Sequence, residues 1–275
     1  MKLFGIWPLV TEKIYKLHGA RIVWLARMQR KGLEFKSAQH AAWQAPFWQT
    51  QSYNANIGIS FAVGAFIFAL GSIFMFCALR WPQLTNLTNL IFFAGSIPFT
   101  IAAGLQHLQS ANALDFKASS PQSGEGRHRL SLIGWHPRSA GWLSSFTQFI
   151  GTIAFNISTF NSIAAPGLPK LDVLEIWAPN FEGSVLFLIS GYLAFVEVGN
   201  KHWSWHPKSL SWQIVFINLL GCIAFMIAAV TPTSPNRNDA LWLISYSNTH
   251  TLIGAIYFFI GALLLVKESR EAQPT

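Results

Sequence analysis

Residues 55–79 read ANIGISFAVGAFIFALGSIFMFCAL, twenty-five positions without a charged side chain. Coiled as a helix at ~1.5 Å per residue, such a stretch is longer than the ~30 Å hydrocarbon layer of a bilayer is thick. Predominantly apolar runs follow at about 89–112, 142–165, 180–200, 209–231 and 241–266. The sequence therefore predicts an all-α integral membrane protein of six transmembrane helices arranged as three hairpins. Composition agrees. Of the 275 residues, 52% are hydrophobic and 11% charged, against roughly a quarter charged in soluble domains, so the chain cannot clothe itself in a polar surface. Trp81, Trp142, Trp177, Trp203, Trp205, Trp212 and Trp242 fall at the ends of the runs, where indole rings favour the headgroup level.

Lysine and arginine counts set the threading. Eight precede the first span, four lie in the 115–140 loop, two in the 201–208 loop and two in the carboxyl tail, whereas Arg80, Lys170 and Arg237 stand alone on the other side. Sixteen against three puts both termini in the cytoplasm of a plasma (inner) membrane protein. The net charge of +8 sits beside the spans, which points to anionic lipid headgroups and away from nucleic acid. Residues 1–50 form a basic arm; within 9–36, Ile14, Leu17, Leu25, Met28 and Phe35 share a sector of a helical wheel opposite Lys16, Arg27, Arg30 and Lys31. That pattern predicts an interfacial amphipathic helix on the cytoplasmic surface.

The first hairpin occupies 51–114, and a Ser- and Gly-rich loop, expected to be flexible, covers 115–134. Hairpins follow at 135–200 and 205–268, with a tail at 269–275. The last two are copies: WHPRSAGW at 135–142 recurs as WHPKSLSW at 205–212, and the same offset of 70 pairs Phe146 with Phe216, Gly151 with Gly221 and Phe155 with Phe225. In each copy Ser can cap the first helical turn, while Trp135, Arg138, Trp142 and Trp205, Lys208, Trp212 are expected to anchor the cytoplasmic interface.

The segment Phe92-Phe93-Ala94-Gly95-Ser96-Ile97-Pro98-Phe99, followed by Leu105-Gln106, resembles the FxxGSxxF core of YrhK-like membrane proteins. Gln148, Gly151, Phe155 and Asn156 resemble a second segment of multi-pass proteins that carry that core. The resemblance implies a hairpin architecture; it brings no catalytic residue, because the family has no assigned activity.

Polar side chains inside hydrocarbon cost a few kcal/mol each and turn toward other helices or water. Ser145, Gln148, Thr152, Asn156 and Thr159 lie within about 80° on the third span. His250, Gly254, Tyr257 and Gly261 share a face of the sixth, and Glu182 begins the fourth. These residues predict an outward-facing polar pocket of Asn156, Glu182 and His250, supported by Gln148, Thr152 and Tyr257. There a carboxylate and an imidazole could hold a cation or pass a proton. The competing reading leaves Glu182 at the interface and His250 bonded to a helix. Glycines 58, 64, 71, 95 and 104 are expected to be helix contacts.

No catalytic residue, cofactor or metal site is predicted: HExxH, a phosphate loop and a nucleophile with its base are all missing, and Cys77 and Cys222 lack ligand spacing. Function then divides between a protein that binds or translocates a small solute, ion or lipid within its helix bundle and a structural or assembly protein that binds a partner. A membrane enzyme acting on lipid comes last. An oligomer is compatible with either.

Overall fold

A computed structural model describes residues 2–17, 20–33, 46–113, 130–164, 172–231 and 237–271. Six long helices carry the fold: α2 (Gln51–Arg80), α3 (Thr85–Ala111), α4 (Ala140–Ala164), α5 (Ala178–Gly199), α6 (Leu210–Val230) and α7 (Arg237–Glu271). Each coincides with one of the apolar runs. Five stretches, 51–80, 82–111, 175–199, 210–230 and 241–271, are helices long and apolar enough to cross a membrane. The exception is α4, whose Ser, Thr, Asn and Gln side chains dilute its apolar character. Their groups are met inside the protein: Asn156 donates to Thr100 Oγ1 at 2.7 Å, Ser145 lies 3.3 Å from His107, and Thr159 donates to Ser96 Oγ at 3.4 Å, all on α3. The polar stripe is thus largely the seam between α3 and α4. Most of the loop 115–134 lies outside the described residues.

Each long helix packs against the next in sequence, and α7 returns to α2, so the six close into a ring. Contact positions run in opposite senses along every neighbouring pair. On α3 and α4, for example, Asn89 meets Ser162 while Ser110 meets Gly141. One end of the ring, called here the near end, therefore gathers residues 51, 111, 140, 199, 210 and 271; the far end gathers 80, 85, 164, 178, 230 and 237.

Every long helix carries glycine, a small residue, two variable positions and phenylalanine: Gly64-Ala65 with Phe68, Gly95-Ser96 with Phe99, Gly151-Thr152 with Phe155, Gly183-Ser184 with Phe187, Gly221-Cys222 with Phe225, and Gly254-Ala255 with Phe258. The glycines face each other in pairs. A methyl group on Gly151 would meet the Gly183 carbonyl oxygen at 3.2 Å and the Phe187 ring at 2.9 Å, and one on Gly183 would meet Gly151 and Phe155 in return. Gly64 with Gly95 and Gly221 with Gly254 repeat the arrangement. Because the two backbones touch, the phenylalanine of each helix lies over its partner's glycine. The six rings, in the order Phe68, Phe99, Phe258, Phe187, Phe155, Phe225 and back to Phe68, follow one another with centroids 5.0–6.2 Å apart. They form an aromatic plug across the middle of the ring.

The repeated WHP entries are repeated structures. Ser139 Oγ accepts from Trp142 N at 3.2 Å and Ser209 Oγ from Trp212 N at 3.4 Å, while Thr50 caps α2 the same way through Tyr53 N. Within each entry the two tryptophans part company: Trp135 and Trp205 are 76% and 61% exposed, Trp142 and Trp212 only 2% and 3%. The inner indoles donate to the carbonyls of Ile133 and Ser204 and stack on Phe146 and Phe216. They pin each helix entry from inside, and the outer pair is left to meet the interface.

The amino-terminal arm departs from expectation. The region assigned to an amphipathic helix folds as a three-stranded antiparallel sheet, β1 (Lys2–Phe4), β2 (Glu12–Leu17) and β3 (Ala20–Leu25), followed by a short helix α1 (Ala26–Lys31). The chain is therefore not all-α. Ile14, Tyr15, Ile22, Val23 and Trp24 favour extended backbone, Gly19 weakens a helix, and the register Leu17↔Ala20 leaves only two residues between paired strands. The sheet is tied to the near end of α5, where Thr11 Oγ1 donates to Asn200 Oδ1 at 2.5 Å and Asn200 Nδ2 donates to Glu12 at 2.8 Å.

Candidate functional site

The pocket residues expected from sequence are dispersed. Asn156 turns to Thr100 on α3, and Glu182 is exposed on α5. His250 Nδ1 lies 3.0 Å from the Tyr246 carbonyl oxygen of its own helix. Around the ring α4 has α3 and α5 as neighbours, and α7 has α6 and α2, so Asn156 and His250 stand on opposite sides. No hydrogen bond joins the three. Thr152 borders a void of about 10 Å³ within the aromatic plug. Gln148 alone lines the principal cavity, which lies elsewhere.

That cavity, about 70 Å³ in volume, occupies the centre of the ring between the plug and the near end. It is large enough for several water molecules at roughly 10–15 Å³ each. Phe61, Phe187 and Phe258 make its floor, and Gln106, Gln109, Gln148 and Asn218 bring amides to its walls. Arg27 and Lys31, both from α1, close its mouth. Gln109 is wholly buried; its Nε2 donates to the Trp48 carbonyl at 2.6 Å and to Asn54 Oδ1 at 3.1 Å, while its Oε1 has no partner. Arg27 Nε is likewise buried without an acceptor. Neither atom has surface open to the cavity; both are enclosed within its wall.

The cations at the mouth were expected to face headgroups. Instead Arg27, Arg30 and Lys31 are 8%, 5% and 7% exposed. Arg30 forms a two-pronged ion pair with Glu197 near the end of α5, one prong at 2.8 Å. Arg27 and Lys31 both reach Glu268 of α7, at 3.1 and 2.5 Å, and Ser211 of α6 donates to the same carboxylate at 2.5 Å. Asn54 and Gln49 fasten the backbone, donating to the carbonyls of Lys31 and Gln29 at 3.0 Å each. A strand-and-helix arm thereby becomes a latch across the near end of the bundle. Nothing in the sequence names the pairs, which are 167 to 241 residues apart, yet there was a signal: Glu197 and Glu268 end apolar helices, and carboxylates so placed need cations.

Burial works against the charge of Arg30, but the attraction and hydrogen bonds of Glu197, helped by Glu268, outweigh it and raise its pKa. At Lys31 the balance is reversed: desolvation, reinforced by Arg27 and Arg30, overcomes the pull of Glu268 and brings the ammonium from 10.5 down to about 7. Between those values the unfolded chain holds more protons than the folded one, so this lysine makes stability rise with pH across the window. The melting temperature of the purified protein is expected to increase from pH 7 to pH 9.5, and Lys31→Met to flatten that increase. An undiminished slope in the variant would refute the assignment.

Among the described residues no three His, Cys, Asp or Glu side chains converge as metal ligands. The site and fold define a helical protein with membrane-length apolar helices and a polar chamber at its centre. Searches against protein-family models, curated proteins and solved structures returned no match.

Proposed function

We propose that this chain is a six-span membrane protein of three hairpins, with both termini in the cytoplasm, that holds a small polar solute in the near-side cavity. The observation that carries this reading is the chamber itself: the partly buried amides of Gln106, Gln148 and Asn218 on its walls and Arg27 and Lys31 at its mouth, all centred between helices whose outer faces are apolar. Ile59, Phe66, Ile97, Ile153, Ile189, Ile223 and Ile256 point outward, an apolar belt far beyond what a monomer in water tolerates. Trp135, Trp203 and Trp205 border it at the near end, Trp81 and Trp242 at the far end, as interfacial tryptophans would. The three reciprocal glycine contacts support a division into hairpins. On this reading α4 is the first helix of the second hairpin, crossing with the others while its polar stripe faces α3. Contact with anionic headgroups passes from the latch to exposed Lys2, Lys16 and Arg21 of the sheet, beside exposed Leu3, Phe4 and Trp7.

Since the plug closes the floor, the solute enters and leaves at the near end when the latch lifts, and passage across the bilayer requires the six phenylalanines to part. Native mass spectrometry of the gently extracted protein tests the reading. A small molecule should remain bound to the native chain and be lost from the double variant Gln148→Leu/Asn218→Leu, which fills the chamber with apolar atoms. An adduct unaffected by that replacement, or a chain that carries none, would overturn it.

A further inference from the structure

The charges around the cavity are unequally placed, and their arrangement selects a ligand. Of the charged side chains in the latch, only Arg27 and Lys31 line the cavity; Glu197 and Glu268 contact the cations from outside it. Arg30 is matched one to one with Glu197, whereas Arg27 and Lys31 share the single carboxylate of Glu268. Among the described residues one positive charge is left over, and it belongs to the pair that faces the chamber. Buried positive charge without a counter-ion is unfavourable. An anion seated below the mouth would supply one.

Resting on the solute-binding reading above, we propose that the cavity takes a small oxyanion. Its negative oxygens face Arg27 and Lys31, whose side chains line the mouth, and its remaining polar atoms meet the partly buried amides of Gln106, Gln148 and Asn218. A neutral apolar molecule would leave those amides unmet, and a cation would face two cations. A cavity of about 70 Å³ above a floor of phenylalanine limits the ligand to a few heavy atoms, the size of a hydroxy acid or of hydrogen phosphate or bicarbonate. Lys31 is also surrounded by Arg27 and Arg30 from α1, Glu268 from α7 with Ser211 of α6 behind it, and the Asn54 amide of α2. Burial brings its ammonium down to about 7, so an arriving anion would draw a proton onto it.

Thermal unfolding of the full chain in phospholipid-free detergent at pH 6.5 tests this with glycolate, inorganic phosphate and bicarbonate at constant ionic strength, and with glycolamide as a neutral counterpart of glycolate. At least one oxyanion should raise the melting temperature where glycolamide does not, which of them doing so separating an organic from an inorganic ligand. Lys31→Met should weaken its binding at least roughly tenfold. Should Lys31→Met fail to fold, Lys31→Gln takes its place: unchanged oxyanion binding in the folded variant overturns the proposal. Stabilisation by glycolamide equal to that by glycolate, lost in Gln148→Leu/Asn218→Leu, rejects the oxyanion and leaves the solute cavity standing. No stabilisation by any probe, together with a chain that carries no adduct in native mass spectrometry, rejects both.

Discussion

Glu197→Leu is expected to remove about 3–5 kcal/mol of stability, the usual cost of stranding one partner of a buried ion pair. Arg30 holds that carboxylate with both terminal nitrogens, and the two side chains are 7% and 1% exposed. Without Glu197 the guanidinium would keep its charge inside the protein or drag α1 out to water, and the latch would open. The companion variant Arg30→Met/Glu197→Leu separates these contributions. Replacing both members with apolar side chains leaves no charge stranded and should recover most of the loss. Chemical denaturation of these two variants and of Arg30→Met measures the coupling. Proteolysis adds a second readout, since the single variant should be cut near Gly32 and the double variant should resist. Equal instability of single and double variants would show that the pair contributes nothing beyond packing.

The second large effect lies at the glycine crossings. In Gly64→Ala the new methyl would sit 2.7 Å from the Phe99 ring and 3.0 Å from the Gly95 carbonyl oxygen. The ring can move only by disturbing the plug, and the carbonyl belongs to the backbone of α3, so about 1–3 kcal/mol should be lost through overpacking; Gly64→Leu should yield no folded protein. Gly104→Ala is the control. Its methyl would touch Phe149 at 3.4 Å, an ordinary contact, and should be tolerated. Folded yield by size-exclusion chromatography and the melting temperature distinguish them, and equal tolerance at both sites would mean that close backbone approach does not hold α2 to α3.

The helices were legible because a long apolar run has few alternatives to a helix: one stands at each of the six runs, and five of them are long and apolar enough to cross a membrane. The arm was misread because a wheel drawn over 9–36 found a stripe, while the shorter alternations Glu12–Leu17 and Ala20–Leu25 carry the period of strands. Glycines 64 and 95 were recognised as helix contacts, and the segments around Gly95 and Gly151 were noticed singly. The six-fold spacing from glycine to phenylalanine is present in the sequence too, but it lies within runs whose other positions are equally apolar and stands out less than the tryptophan entries. The proposed pocket failed to assemble for a geometric reason. Depth in a bilayer can be estimated from position along a helix, but the order of helices around a ring cannot, and Asn156, Glu182 and His250 were matched by depth alone. Gln148 came from the same polar stripe and does reach the cavity, because it lies on the part of α4 turned toward the centre.

The latch also imposes a schedule on biosynthesis. Lys31 leaves the ribosome 237 residues ahead of Glu268, so the three cations of α1 must wait in water while the whole ring is threaded and closed. Only once α7 has been translated are both carboxylates on offer together. Engagement of the arm therefore follows the synthesis of α7, and a product truncated before Glu268 would leave Arg27 and Lys31 without that carboxylate and the latch half fastened.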